Sequence, residues 1–233
     1  MKNLTLIIPT KKEVESLPIF LKELKNYKCK KMIVMKKEDI ATFDKIKKIK
    51  NIQIVKQKRN GYGNALIEGI KATKTKYCCI INADGSMNPK YLKRMLTLCE
   101  KKDLVFTSRY QKPGGGSEDD DVVTSIGNFF FTFFGNFFFK LNISDILFTY
   151  ILGKTKSFKK MKVNEGTIRK VNLLISHAIK KLPLNISIIE VVKPHDKHSN
   201  PKHDFHRQGM SKSKSKRRLM MIEKRKYKRR FCK

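Results

Sequence analysis

A carboxylate at the end of an apolar, strand-like run is the clearest chemical signal in the sequence. Residues 77–81 are mostly apolar and lead into a polar turn that carries Asp84 and is followed by Pro89. Ligands of open α/β sheets bind just beyond the carboxyl ends of the strands, and hard divalent cations prefer oxygen ligands. Asp84 therefore predicts a metal-assisted nucleotide site. The alternative is an ordinary Asp-Gly turn or a helix cap.

The elements that must position this carboxylate alternate along the first half of the chain. Apolar runs predict strands at residues 4–9, 32–35, 52–55, 77–81 and 104–107, and a late strand at 186–192. Helical spacing predicts helices at residues 13–27, 40–49 and 89–100, and one from the glycine-rich turn at 59–63 through residue 72. Such alternation favours an α/β fold with a mostly parallel central sheet flanked by helices.

Residues 122–139 form an uncharged stretch that is dominated by phenylalanine. Its 18 residues lie at the lower limit for a helix that crosses a membrane. Glycines, asparagines and hydroxyl residues interrupt the run, so we expect a helix that is partly core and partly interfacial. A buried core helix and a true membrane span are the alternatives.

The composition is strongly basic. The 233 residues include 53 Lys or Arg against 20 Asp or Glu, which gives a net charge of +33 and attracts phosphates, nucleic acid or anionic lipid. Five cysteines form no CxxC pair and fit a reduced cytoplasm without structural zinc. The first residues read as a strand, not as a signal peptide.

The sequence predicts two parts. Residues 1–209 are expected to form one globular domain, and residues 210–233 a basic tail that is either a short helix or disordered.

Seven segments, in this order, resemble family 2 glycosyltransferases, especially the branch of dolichyl-phosphate mannose synthase and related polyprenyl-phosphate sugar transferases. The segments are Leu4–Glu13, Asn60–Ala65, Asn82–Ser86, Thr107–Tyr110 with the triple glycine 114–116, Asp145 with Phe158 after it, Glu190–Val191 and Arg207–Lys212. The resemblance implies a GT-A type fold. It also implies transfer of a sugar from a nucleotide-sugar donor to a polyprenyl-phosphate or glycan acceptor, with a divalent cation (Mg or Mn) as cofactor. The protein would be cytoplasmic and peripheral to the inner face of the membrane, held at an anionic membrane surface.

The resemblance also assigns roles to single residues. Donor binding falls to Pro9, Glu13, Gly61, Gly63, Asn82 and Asp84, metal ligation to Asp84 and Asn82, and phosphate or acceptor binding to Arg109, Arg207 and Lys212. Asp84 and Asp145 are the expected catalytic residues, with Asp145 as the base if the acceptor is a sugar hydroxyl. Three of these residues also have a purely structural interpretation. Glu13 could complement a helix dipole, Asp145 could be a cap or an ion-pair partner, and Arg109 could be a surface arginine.

Five residues depart from the family pattern. Lys11 and Lys12 stand where the family has an aromatic residue and an asparagine. Lys36 and Lys37, with the acids Glu38 and Asp39 just beyond, stand where the family has paired acids that help to hold the base, and Asn82 replaces the first acid of the metal site. A catalytically impaired or inactive relative is therefore one alternative function.

A basic nucleic-acid-binding protein is another alternative, which the charge of +33 motivates. The basic tail has only two aromatic residues, Tyr227 and Phe231, and no known RNA-binding signature. We therefore do not expect nucleic acid to be the partner.

Overall fold

The computed structural model of this chain describes residues 1–110, 122–139, 142–161 and 185–190. Arg207, Lys212, the triple glycine at 114–116 and the predicted boundary between residues 209 and 210 lie outside the described residues. The statements below concern the described ranges.

Seven strands form one sheet in the order β3-β2-β1-β4-β6-β5-β7. The strands are β1 (Leu4–Thr10), β2 (Lys30–Lys36), β3 (Ile52–Gln57), β4 (Tyr77–Ile80), β5 (Leu104–Ser108), β6 (Ile151–Lys154) and β7 (Ile186–Glu190). Every neighbouring pair is parallel except those of β6, which runs antiparallel to both β4 and β5. The expected mostly parallel sheet is confirmed, and β6 is an element that the sequence pattern did not predict.

Helices connect the strands and cover the sheet. They are α1 (Ser16–Glu23), α2 (Ile40–Ile46), α3 (Tyr62–Ala72), α4 (Leu92–Lys101), α5 (Val122–Phe139) and α6 (Thr155–Lys160). Helix α1 begins three residues later than expected and passes into a short 3-10 turn at Leu24–Asn26. Helix α2 begins behind Asp39, whose Oδ1 accepts the N–H and the hydroxyl of Thr42 at 3.4 and 2.8 Å. This cap fixes the start of α2.

The core lies on both faces of the sheet. Alternate residues of β1 point to opposite sides, so that Leu6 and Ile8 pack in one apolar cluster while Ile7 packs in the other. Helices α1 and α4 contribute Phe20 and Met95 to the first cluster, and α3 contributes Leu66 to the second. Burial on both faces explains why the parallel strands read as continuous apolar runs.

Helix α5 turns its polar side toward the protein. Asn128 and Gly135 are buried and Thr132 is half-buried, whereas phenylalanines occupy the exposed side. The residues that interrupt the apolar run are thus the contact face, and the phenylalanines are not part of the core. None of the helices in the described part of the chain has the length and apolar character that a membrane crossing needs.

Candidate active site

The candidate site lies where the order of the sheet reverses. From β1 the chain continues to β2 and β3 on one side, whereas β4 pairs on the other side of β1 and leads toward β5. The connections after β1 and β4 therefore run in opposite directions and leave a crevice at the carboxyl ends of these strands. Pro9 lies in β1 and Asp84 follows β4, so the fold brings both to this crevice.

Asp84 is held in a tight turn at the end of β4. Its Oδ1 accepts the backbone N–H of Ser86 at 3.0 Å and the hydroxyl of Ser86 at 2.6 Å. Gly85 adopts a φ of +75°, which side-chain-bearing residues rarely take. The turn fixes one carboxylate oxygen, and the second accepts no hydrogen bond from the described residues.

Asn82 is oriented by a tyrosine that the sequence analysis did not single out. The Tyr62 hydroxyl donates to Asn82 Oδ1 at 3.0 Å and lies 3.1 Å from Thr149 Oγ1. Because Tyr62 has one hydroxyl proton, the Thr149 hydroxyl donates to the Tyr62 oxygen. Tyr62 as a whole is 42% exposed, but enclosure of its hydroxyl raises the pKa of Tyr62 to about 12, and the charge of Asp84 acts in the same direction. The hydroxyl therefore stays protonated and remains a donor at neutral pH.

The glycine-rich turn before α3 is tied down by flanking side chains. Gly61 adopts a φ of +105°, and Gly63 is buried in the first turn of α3. The Gln57 side-chain amide donates to the Gly61 carbonyl at 2.8 Å, and the Glu68 carboxylate accepts the N–H of Lys58 at 2.9 Å. Such a turn can hold its backbone close to a donor nucleotide.

Glu13 lies in the loop after β1, not in the first turn of α1. It is half-buried, and its Oε2 accepts the Ser16 hydroxyl at 2.6 Å. In the same loop Lys12 has a φ of +58°, and its N–H donates to Asp39 Oδ2 at 2.6 Å. Asp39, one of the acids beyond Lys36 and Lys37, thus ties this loop to the start of α2.

Arg109 and Asp145 form a two-point ion pair beyond the end of β5. Arg109 Nε lies 2.7 Å from Asp145 Oδ2, and Nη2 lies 3.1 Å from Oδ1. The Arg109 backbone N–H donates to Oδ2 at 3.3 Å, and Asn128 Nδ2 donates to Oδ1 at 3.1 Å. Asp145 is fully buried. The carboxylate expected as a base is therefore engaged by three hydrogen bonds from Arg109 and one from Asn128.

Aromatic rings enclose the same guanidinium. Its central carbon lies 4.8 Å from the centre of the Phe148 ring and 5.2 Å from that of Tyr110. Phe148 precedes Thr149, which contacts Tyr62, so the segment at 145–149 touches both the Asn82 side and the Arg109 side of the site. These contacts fix the guanidinium through charge, hydrogen bonds and cation–π attraction.

The structure shows contacts that link some of the predicted residues. It joins the turn at Gly61 and Gly63 to Asn82 through Tyr62, and it joins Arg109 to Asp145. In the described part of the chain, no group of three His, Cys, Asp or Glu side chains lies close enough together to hold a metal ion by itself. A cation at Asp84 and Asn82 would therefore take its other ligands from a diphosphate and water, as Mg²⁺ commonly does.

Sequence reasoning missed Tyr62, Thr149, Glu68 and Asn128. Only Asn128 carried a readable signal, because residues 128, 132 and 136 recur every four positions and so mark one polar face of α5. Tyr62 stands between the two glycines of the turn, but nothing in the neighbouring sequence indicates that its hydroxyl contacts Asn82.

Comparison with known proteins adds a family likeness. The family model described as Glycosyl transferase family 2 matches residues 5–162. Uncharacterized glycosyltransferases of Mycobacterium bovis and Mycobacterium tuberculosis are each 30% identical over 112 residues, which is 48% of this chain and 50% of the relative. The chain thus spans about half the length of the curated relatives that it matches.

Solved structures share the fold. A glucosyl-3-phosphoglycerate synthase from Mycobacterium tuberculosis, in complex with Mn²⁺, UDP and glucosyl-3-phosphoglycerate, has a TM-score of 0.59 at 14% identity, covering 89% of this chain and 77% of that chain. S. aureus TarS has a TM-score of 0.54 at 13% identity, covering 82% and 60%. At these identities the likeness concerns the fold, and it confirms the expected GT-A type α/β architecture.

Proposed function

This chain belongs to glycosyl transferase family 2, and we propose that it is an enzyme that transfers a sugar from a nucleotide-sugar donor to an acceptor. The observation that carries the proposal is the position of Asp84. Its carboxylate is fixed at the carboxyl edge of β4, beside β1, where the order of the sheet reverses. Ligands of open α/β sheets bind in the crevice at such an edge.

The donor diphosphate would bind with a divalent cation, Mg or Mn. Asp84 offers an oxygen that accepts no hydrogen bond from the described residues, and Asn82 offers an amide oxygen oriented by Tyr62. Two such oxygens fit a cation that also binds phosphate. When bound, the cation would stabilise the charge on the nucleoside diphosphate that leaves. The Mn²⁺ and UDP in the glucosyl-3-phosphoglycerate synthase structure support this choice of ligands.

The nucleoside would lie toward β1 and the turn before α3. Glu13 can accept a hydrogen bond from a ribose hydroxyl or a base, and the positive φ of Gly61 permits close approach of the backbone. Glu68 and Gln57 position this turn from outside the crevice. Lys36 and Lys37 replace the acids that help to hold the nucleotide base in the family. The base of the donor could therefore differ from the base that related enzymes bind.

The acceptor that fits best carries a phosphate. A sugar hydroxyl needs a base, but Asp145 is buried and paired with Arg109. An ionised phosphate needs no strong base, and Arg207 and Lys212 supply cationic side chains for it. A polyprenyl phosphate at the inner face of the membrane is thus our preferred acceptor, as in the dolichyl-phosphate mannose synthase branch, and a glycan is the second. The protein would then be cytoplasmic and peripheral, with residues 1–209 as the enzyme and 210–233 as a basic tail.

An inactive relative that still binds nucleotides is the second candidate function. Asn82 supplies a neutral oxygen in place of an acid. A neutral oxygen attracts a cation less strongly than a carboxylate does, so the cation site is weaker than in the family pattern.

A ligand-binding panel separates the candidates. Thermal shifts are measured with UDP, GDP and their sugar conjugates, each with Mg²⁺, Mn²⁺ or chelator, on the wild-type chain and on Asp84→Asn. Cation-dependent stabilisation that Asp84→Asn loses supports the donor site. Transfer of labelled sugar to polyprenyl phosphate or to a glycan acceptor then identifies an active enzyme. Binding without transfer to either acceptor favours the inactive relative, and no nucleotide-dependent shift contradicts the proposal.

A further inference from the structure

The outward side of α5 is a continuous apolar surface. We call it the phenylalanine face, and its residues are Phe129, Phe130, Phe133, Phe134, Phe137 and Phe138. These side chains are between 49% and 71% exposed, and no charged residue occurs from 122 to 139. An exposed apolar surface of this kind on a soluble domain marks an interaction site.

The rings of this face are already ordered against one another. Phe129 stacks on Phe133 with centroids 6.5 Å apart, and Phe134 stacks on Phe138 at 6.3 Å. Stacking at a spacing of four residues holds neighbouring rings side by side along the helix. The surface therefore needs little rearrangement to meet a partner.

Polar contacts on the opposite side fix the direction of the face. Asn136 donates to the Ile143 carbonyl at 2.8 Å and accepts the Ile143 N–H at 3.1 Å, and Thr132 Oγ1 accepts the Ile146 N–H at 3.3 Å. Asn128 donates to Asp145. Helices of globular proteins normally bury their apolar side. Here the polar side contacts the domain, and the phenylalanine face is exposed.

We propose that this partner is a lipid bilayer, with α5 lying in the plane of the interface and the phenylalanine face in the headgroup–acyl boundary. At about 100° per residue, the six rings span about half of the helix circumference. A flat protein surface would touch only one stripe of such a convex face, whereas acyl chains surround it. The net charge of +33 adds attraction to anionic headgroups.

This inference rests on the proposed function, because the phenylalanine face is the surface that would bring the site to an acceptor in the lipid. Two contacts connect α5 to the site. Asn128 on the inner side of α5 donates to Asp145, and Asp145 holds Arg109 beyond β5. A helix bound at the membrane would thus place the Arg109 side of the site near the headgroups.

The test is co-sedimentation of the full chain with phosphatidylcholine vesicles that contain phosphatidylglycerol. The test variant is Phe133→Ser with Phe137→Ser, and the matched control is Ile40→Ser with Phe43→Ser, which removes exposed apolar side chains from α2. We expect the wild type and the control to bind, and the test variant to lose about tenfold or more in partitioning. High salt should weaken binding without moving the difference between the two variants.

Three measurements keep the outcome clear. Circular dichroism and thermal unfolding must show that both variants are folded, and if the Phe133 and Phe137 variant is not, Phe129→Ser with Phe130→Ser replaces it. Wild-type binding that the phenylalanine variants leave unchanged, or no binding at all, overturns the inference. Self-association that these variants abolish, without vesicle binding, would assign the face to a second copy and also overturn it. Nucleotide-dependent thermal shifts on the same proteins test the proposed function separately, because the donor crevice lies at β1 and β4.

Discussion

Arg109 and Asp145 are 36 positions apart in sequence and form a bidentate ion pair, with Nε to Oδ2 at 2.7 Å and Nη2 to Oδ1 at 3.1 Å. The pair joins the end of β5 to the segment before β6, and Asn128 extends it to α5. Asp145 is fully buried, so these partners offset the cost of burying its carboxylate. Asp145 therefore fixes the position of the Arg109 guanidinium.

Removing the arginine should be costly. In Arg109→Met the buried carboxylate keeps only Asn128 as a side-chain donor, and we expect the free energy of unfolding to fall by about 3–5 kcal/mol. The double variant with Asp145→Asn should recover part of that loss, because no uncompensated charge remains. Urea unfolding measures both. Lys47→Met removes an exposed ion pair with Asp44 and should cost less than about 1 kcal/mol. Equal losses in Arg109→Met and Lys47→Met would contradict the role of burial.

Asp84→Asn should abolish cation-dependent donor binding while leaving the fold intact. An amide in place of the carboxylate keeps the shape of the turn but removes the charge that attracts the cation. The readouts are calorimetric titration of nucleoside diphosphate with Mn²⁺, and urea unfolding. Asp44→Asn, on the exposed side of α2, is the control and should bind as the wild type does. If Asp84→Asn binds and turns over donor normally, Asp84 is only a turn residue.

Tyr62→Phe should weaken cation binding without removing a ligand. The hydroxyl orients Asn82, and loss of such an orienting partner commonly costs about tenfold or more in metal affinity. Thr149→Val removes the group that donates to Tyr62 and should have a smaller effect in the same direction. Titration of Mn²⁺ in the presence of nucleotide measures both. An unchanged affinity in Tyr62→Phe would show that Asn82 does not contact the cation.

Asn82→Asp should have the opposite effect. The new carboxylate adds a charged oxygen at the same place, and the Tyr62 hydroxyl can donate to it as it donates to the amide. We expect tighter cation binding in the same titration, provided that position 82 is a ligand. A titration curve that coincides with that of the wild type would argue against a ligand role.

Stability should fall as the pH rises above about 9. Burial raises the pKa of the Cys78 thiol from 9.0 to about 12, and Cys99 is also shifted to about 12, chiefly by burial. Between pH 9 and pH 12 these two thiols are deprotonated in the unfolded chain but still protonated in the folded chain. Rising pH therefore lowers the free energy of the unfolded state relative to the folded state, and the free energy of unfolding decreases. The stabilisation is full below about pH 9 and is lost toward pH 12. Urea unfolding at pH 7.5, 9 and 10 should show the decline, and Cys78→Ala should make it shallower.

The sequence predicted the parallel sheet because its strands are buried on both faces and therefore read as apolar runs. It did not predict β6, whose four residues include Gly153. A strand of four residues is too short to show a clear periodicity. Its conformation depends on the pairing of Leu152 with both Cys79 and Val105 in the neighbouring strands. That information lies in the neighbours of β6 and not in its own residues.

The sequence predicted the position of Asp84 at the candidate site, but it did not predict the hydrogen bonds around it. Asp84 could be placed because a strand must end where its apolar run ends. The hydrogen bonds of Tyr62 to Asn82 and Thr149 cross 20 and 87 positions of sequence, so no local pattern shows them. The same holds for the pairing of Arg109 with Asp145, which crosses 36 positions of sequence.

Two glycines test the packing around β6 and α5. A Cβ at Gly153 would lie 2.8 Å from the Asp103 carbonyl oxygen and 2.9 Å from Phe158 Cε2, and the backbone oxygen cannot move without disturbing the sheet. Gly153→Ala should therefore destabilise the fold by about 1–3 kcal/mol. Gly127 has nothing within 4 Å of an added Cβ and lies inside α5. Gly127→Ala should instead stabilise by about 0.5–1 kcal/mol, since alanine loses less backbone entropy in a helix. Urea unfolding of the two variants gives the signs. A loss of stability in Gly127→Ala would mean that α5 packs more closely on its inner side than these contacts indicate.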